Sequence, residues 1–241
     1  MSRSEIEYAG KDLESMEFAE NYHRWILEIF RPFLGQRIVE VGAGTGSFSR
    51  LLLDLEPSEL TLIEPSEMFS ALTEFADGVE SRTNIQIKKD VFTNVAEQLC
   101  ADSRPDSIVY INVLEHIQDD EGELRAVHRT LADGGHVCIF VPAIQFLLSD
   151  FDRHIGHYRR YGRSDLIAKC EVAGFHVKLV RGFDLPGILP WLIKYRLLRS
   201  TSMGGFAVRL YDRLAIPLIR LSENAFPPPI GKNLILVGEK V

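Results

Sequence analysis

The feature that most narrows the fold is a repeated switch of hydrophobic period. From residue 37 onward, short runs rich in Val, Ile and Leu alternate with segments whose apolar residues recur every three or four positions. A short apolar run suits a strand buried on both faces, and the wider spacing suits a helix packed on it. The runs fall at 37–41, 59–63, 84–88, 107–111, 136–141, 175–180 and 234–237. Helical spacing covers 46–55, 66–76, 121–131 and 164–173, with stops at Asp133-Gly134-Gly135 and Gly174. Another helix is predicted over 16–34, where Phe18, Tyr22, Trp25, Ile26, Ile29 and Phe33 share a face and Pro32 and Gly35 close it. This alternation predicts an α/β fold whose parallel sheet is covered by helices on both faces. It also puts binding at the carboxyl ends of the strands. The 241 residues suit a single domain over 1–241, with an N-terminal helix within 16–35 and a helical cap at 182–232, since a domain takes about 150 residues.

Two stretches break the alternation. Residues 143–163 form a connection rich in His, Arg and Tyr, and residues 182–232 separate the last two strands. Connections that long carry function or structure of their own. Charge is uneven in the same region. The chain is −7 overall, yet 153–220 holds 13 Lys/Arg against 4 Asp/Glu. An acidic body argues against general nucleic-acid binding. A basic segment within it suits an anionic substrate, a membrane surface or a solvated helix face. Residues 186–193 are apolar, and Lys194, Arg196 and Arg199 follow. Over 205–222 a helix kinked at Pro217 is predicted, with Arg209, Arg213 and Arg220 along one side and Leu210, Leu214, Ala215, Leu218 and Leu221 along the other. That pattern fits a membrane-surface helix, and equally a cap that packs its leucines on the body and turns arginine to water. The cap is the expectation, with peripheral membrane contact through 186–222 as the second reading.

No uncharged apolar run approaches the ~20 residues of a spanning helix. Glu5, Glu7, Asp12, Glu14 and Glu17 are unlike a secretory signal. Cys100, Cys138 and Cys170 are far apart and make no metal spacing and no even disulfide set. A cytoplasmic, reducing compartment is expected.

The strongest local signal is Val39-Glu40-Val41-Gly42-Ala43-Gly44-Thr45-Gly46. A buried strand runs into three alternating glycines and then a helix, and glycine lets a ligand approach the backbone. Dinucleotide enzymes carry GxGxxG at this place, but Ser47 stands where the third glycine of that pattern belongs. Glu64 ends the second strand, where a carboxylate suits two ribose hydroxyls; a dinucleotide fold would want the same acid.

Five pieces in chain order resemble the class I S-adenosylmethionine-dependent methyltransferases. They are the GxGxG loop with Glu40 before it, Glu64, Asp90-Val91 after the third strand, Asn112-Val113-Leu114-Glu115-His116-Ile117 after the fourth, and Leu131-Ala132-Asp133-Gly134-Gly135 before the fifth. The last departs from the family's L-x-P-G-G turn in lacking the proline before the glycines. The resemblance implies a Rossmann-like, seven-stranded, mostly parallel sheet with an antiparallel last strand, and S-adenosylmethionine as cofactor. It implies cofactor contacts from Glu40, Gly42, Ala43, Gly44, Thr45, Gly46, Glu64, Pro65, Met68, Asp90, Val91, Asn112, Val113 and Leu114. For Asp90 the alternative is a helix N-cap. Residues 156–161 resemble a GHYRRY element of one bacterial branch of these enzymes.

Methyl transfer from a sulfonium is an in-line displacement that asks for alignment, exclusion of water and, for an oxygen or nitrogen acceptor, a base. His116, His154, His157 and Tyr161 are the candidates for catalytic contact. Each has a plainer reading: His116 as a turn residue, and 152–161 as a loop clamped by Asp152–Arg contacts. No metal is expected, because Asp119-Asp120 reads as a helix start. The expected function is methyl transfer to an oxygen or nitrogen of a small acceptor, hydrophobic or lipid-linked, with no nucleic-acid partner. The alternatives are an NAD(P)-binding oxidoreductase and a non-catalytic binding module.

Overall fold

A computed structural model of the chain describes residues 19–102, 104–202 and 204–241. Seven strands form one sheet in the order β3-β2-β1-β4-β5-β7-β6: β1 (Arg37–Val41), β2 (Glu59–Ile63), β3 (Asn84–Lys88), β4 (Ser107–Ile111), β5 (His136–Pro142), β6 (Phe175–Phe183) and β7 (Asn233–Lys240). The pairs among β1 to β5 are parallel, whereas β7 runs antiparallel to both β5 and β6. The apolar runs are continuous because both faces of the central strands are covered; β4 and β5 are buried over nearly their whole length.

The helices are α1 (Glu20–Phe30), α2 (Ser47–Leu53), α3 (Phe69–Gly78), α4 (Phe92–Asp102), α5 (Asp120–Thr130), α6 (Asp150–His154), α7 (Arg163–Val172), α8 (Ile188–Trp191), α9 (Gly205–Leu214) and α10 (Ile216–Ala225). One core, holding Phe92, Leu124 and Leu166, joins α4, α5 and α7 to the sheet. The other holds Trp25, Phe30, Leu52, Leu72 and Ile216 and joins α1, α2, α3 and α10 to the opposite face. The expected start of the first helix at 16–18 lies outside the described residues.

Three details depart from the sequence reading. Helix α4 was not foreseen, although Phe92, Val95, Ala96 and Leu99 recur at helical spacing and are all buried. The kinked helix over 205–222 is instead two helices. Pro217 sits in the first turn of α10, where its missing N–H costs nothing, and the chain breaks before it. Most consequential, the leucine stripe does not pack on the body. Leu210, Leu214, Leu218 and Leu221 are 48, 60, 70 and 74% exposed. Val208, Tyr211, Ala215, Ile216 and Ile219 make the contact instead.

The inserted segment is tied to the body by polar groups. Ala19 offers no side chain to cap α1, and the carboxylate of Asp212 in α9 takes its place. It accepts from the backbone N–H of Asn21 at 3.1 Å and of Tyr22 at 2.9 Å. Buried Asp184 accepts from the Tyr211 hydroxyl at 2.5 Å and pairs with Lys232 at 2.7 Å. Among the described residues no helix is long and apolar enough to cross a membrane.

Candidate functional site

The glycine loop leaves β1 and turns into α2 with φ of +70° at Gly42 and +58° at Gly44. These are left-handed conformations that side chains resist. Gly42 and Gly44 do different work. A methyl group at Gly42 would come within 2.4 Å of Val113 Cγ2, so this glycine lets the loop pack on the segment after β4. At Gly44 the added methyl would meet only the end of Met68, at 4.0 Å, so this glycine faces open space. Glu64, 3% exposed, accepts from the Gly44 N–H at 2.8 Å and from the Ser66 N–H at 2.9 Å. Each of its oxygens keeps a lone pair for a further donor. An open glycine, a carboxylate fixed beside it and a thioether across from it fit the nucleoside end of S-adenosylmethionine.

The other expected cofactor residues lie at or near the ends of β1, β2, β3 and β4. Ala43, Thr45 and Pro65 share the same loop ends, and the Ala43 N–H donates to the Ile63 carbonyl at 3.1 Å. Asn112 directly follows β4 with φ +53°, and its N–H donates to the Phe140 carbonyl at 2.9 Å. Val113 backs Gly42, and Leu114 is fully buried. Glu40 lies deeper than expected. It accepts from the Ser49 hydroxyl at 2.5 Å, and burial pushes its carboxyl up to about 8, with Glu64's charge adding to the effect. Asp90 is exposed and accepts from the Val91 N–H at 2.8 Å and the Asn94 side-chain amide at 2.7 Å, two residues before α4 starts.

Beside Asn112 lies a cavity of about 570 Å³. The end of β4 and the 143–161 connection make one wall, with Asn112, His116, Phe151, His157 and Arg160. The inserted helices make the other, with Trp191, Tyr195, Leu210, Tyr211 and Leu214. Tyr22 and Lys232 reach it from α1 and the approach to β7. Phe151, Trp191 and Tyr195 pack against one another with ring centres 4.4 to 5.8 Å apart, Phe151 meeting Trp191 edge to face. The Arg160 guanidinium lies over Trp191, 4.4 Å from the ring centre.

Of the four candidate catalytic residues, the structure brings two to this cavity. His116 and His157 both line it, with ring centres 4.5 Å apart. Burial lowers His116 to about 3, with the neighbouring His157 adding to that, and burial also lowers His157. Both are therefore neutral near pH 7. His154 is exposed at the end of α6 and is not on the cavity wall. Tyr161 is fully buried behind the wall, its hydroxyl 2.8 Å from Asp120 Oδ2 and 3.1 Å from the Leu114 carbonyl.

The 152–161 segment is clamped by acids rather than spread as a ligand-facing row. Arg160 donates through Nε and Nη2 to Asp152 at 2.9 and 2.7 Å, and Arg159 pairs with Asp120 at 2.6 Å. Burial pushes the Asp152 carboxyl up, but His157, Arg160 and Ser149 outweigh it and hold the group at about 2. His157 Nδ1 lies 3.0 Å from Asp152 Oδ1, and its Nε2 lies 3.7 Å from Glu115. Both Glu115 oxygens are buried without a hydrogen-bond partner, and burial pushes this carboxyl up to about 8. Glu115, His116 and His157 each offer a ligand atom within 4.8 Å of the others. The sequence reading weighed only Asp119-Asp120 for a metal and did not assemble this group. Asp119 instead caps α5, accepting from the Gly122 N–H at 2.9 Å.

Comparison with known proteins adds four findings. The family model described as "Methyltransferase domain" matches residues 14–180. A ubiquinone biosynthesis O-methyltransferase of Pseudomonas syringae pv. tomato is 24% identical over 161 residues, 61% of this chain and 68% of that protein. Among solved structures, a SAM-dependent methyltransferase from Archaeoglobus fulgidus superposes with a TM-score of 0.61 at 18% identity, covering 95% of this chain and 98% of that one. The 1,6-didemethyltoxoflavin-N1-methyltransferase of Burkholderia thailandensis gives 0.60 at 15%, covering 96% and 82%.

Proposed function

This chain belongs to the Methyltransferase domain family, and on that premise we propose that it methylates an oxygen of a small, largely apolar or lipid-linked acceptor held in the cavity beside Asn112. It is an S-adenosylmethionine-dependent methyltransferase. The observation that carries the acceptor reading is a shared wall. Gly42 packs on Val113, and the neighbouring Asn112 lines the cavity, so the loop that would hold the cofactor and the space that would hold the acceptor meet at the end of β4. Oxygen is favoured over nitrogen because the curated relative is named an O-methyltransferase.

When bound, S-adenosylmethionine supplies a methyl group on a positively charged sulfur. The chain's own residues then have three tasks. Glu64, Gly44 and Met68 bind and fix the nucleoside end. The aromatic wall of Phe151, Trp191 and Tyr195 excludes water from the acceptor. His157 takes the acceptor's proton: with Nδ1–H directed at Asp152, its Nε2 carries the free lone pair, and the Asp152 anion stabilises the imidazolium that forms. We place the protein in a reducing compartment, in keeping with its three free cysteines, and on a membrane surface through the inserted helices.

Calorimetry with S-adenosylmethionine and with NAD tests the cofactor, and heat from NAD alone would overturn the reading. For the base, His157→Asn is expected to lower kcat by about 10²–10⁴-fold, the range for a lost general base, with unchanged affinity for S-adenosylmethionine. A kcat that survives this change moves the role elsewhere.

A further inference from the structure

The cavity and the exposed leucines belong to one surface. Leu210 and Leu214 line the cavity and are also 48 and 60% exposed. Pro190, Gly204 and Ala207 are likewise exposed and on the cavity wall. The cavity therefore opens between α8 and α9. Around this mouth the apolar surface continues through Leu189, Leu197, Leu198 and Phe206, and along α10 through Leu218, Leu221 and Phe226. A water-facing monomer rarely shows so many large apolar side chains together.

The charges that the inserted helices themselves expose have one sign, and Arg220 of α10 is paired with an exposed acid outside them, Glu28 of α1. Between 185 and 222 the sequence holds six Lys/Arg and a single acid, Asp212. That acid is buried, turned inward to the start of α1. Arg196, Arg199, Arg209 and Arg213 are exposed. The chain as a whole is −7, so an anionic surface repels most of the molecule and attracts this side. Charge thus sets orientation, and the leucines supply insertion once the face is down.

We propose that α8, α9 and α10 lie on an anionic bilayer, and that the acceptor is an amphiphile entering the cavity sideways from the lipid through the mouth between α8 and α9. Its reactive head sits at Asn112 and His157, and its chain trails past Leu210 and Leu214 into the leaflet. This rests on the reading of the cavity as the acceptor site.

The test uses the full chain and vesicles of phosphatidylcholine, with or without phosphatidylglycerol at about 30%. Cosedimentation should show at least about tenfold tighter binding to the anionic vesicles, weakening as salt rises. Leu218→Asp with Leu221→Asp, two residues off the cavity wall, should abolish that binding and leave S-adenosylmethionine calorimetry unchanged. Of the two tryptophans, Trp25 is fully buried and Trp191 lines the cavity. Brominated phospholipid chains in the vesicle should therefore quench the emission lost in Trp191→Phe. Absence of vesicle binding overturns the proposal, as does binding indifferent to the two aspartates. Bound protein with unquenched Trp191 also overturns it, because another face would then be down. A dimer that the aspartate pair dissociates, with no vesicle binding, assigns the face to self-association instead. Loss of S-adenosylmethionine binding in the wild-type chain is a separate result: it defeats the methyl-transfer reading and leaves the vesicle outcome standing.

Discussion

At the scale of single residues, Glu64 and Gly44 are coupled through one hydrogen bond, and that coupling decides what their substitutions do. Glu64→Ala removes the group expected to take ribose hydroxyls and also frees the Gly44 N–H. Hydrogen bonds to a charged group contribute about 1.5–3 kcal/mol, so S-adenosylmethionine affinity should fall about 10- to 150-fold by calorimetry, with circular dichroism unchanged. Gly44→Val should be worse. It forces a β-branched residue to φ +58° and pushes a side chain into the open space before Met68. Equal affinity in either folded variant would place the cofactor elsewhere. These residues were legible in the sequence because the loop is local: strand, glycines and acid follow one another closely. His157 was legible only as a member of a polar run. Its ring is held by Asp152 five residues earlier and lies beside Glu115 over forty residues away, and the second of these neighbours leaves no trace in local spacing.

At the scale of elements, the connection from α6 to α7 is held by buried ionic groups, and it should respond to pH from two sides. Asp152 titrates at about 2 when folded, against an ordinary 3.8. The folded state binds this proton more weakly, so the clamp's stabilisation is complete above about pH 4 and drains away toward pH 2, amounting to about 2 kcal/mol. Asp152→Asn leaves the Arg160 guanidinium buried and unpaired, which costs about 3–5 kcal/mol and should lower the melting temperature at pH 7. Glu115 works in the other direction. Its folded value is raised to about 8 from 4.5, so its contribution is complete below pH 4.5 and is lost as pH climbs toward 8. Glu115→Gln should therefore flatten the fall in melting temperature between pH 5 and pH 8. A variant with the wild-type slope would show that this carboxyl does not hold its proton. The helix at 92–102 was readable and overlooked, since its apolar positions recur plainly. The fate of the leucine stripe was not readable. Periodicity shows that a helix has an apolar side but not which of its sides meets the body, and here Ile216, Ile219 and Tyr211 do so instead.

At the scale of the whole molecule, the inserted helices and the body are joined at a point far apart in sequence, where Asp212 caps α1 across 190 residues. Asp212→Ala should cost about 1–2 kcal/mol, the range for a lost N-cap, read as a lower urea midpoint. A midpoint equal to wild type would mean that α1 needs no partner at its start. No local rule could have paired these two elements; the sequence reading placed both helices and left their contact open. The sheet order carries one more consequence, for how the chain comes off the ribosome. Strand β7 lies between β5 and β6, so two strands made earlier wait with a bare edge each for one made after both. A nascent chain can complete five parallel strands and the glycine loop and still lack the strand that joins β6 to them. The approach to that strand carries Lys232, which closes the Asp184 anchor of the inserted helices. Translation therefore delivers the cofactor-binding half first and the acceptor chamber only once β7 has followed, and until then β5 and β6 present open edges that a chaperone, or another copy of the chain, can bind.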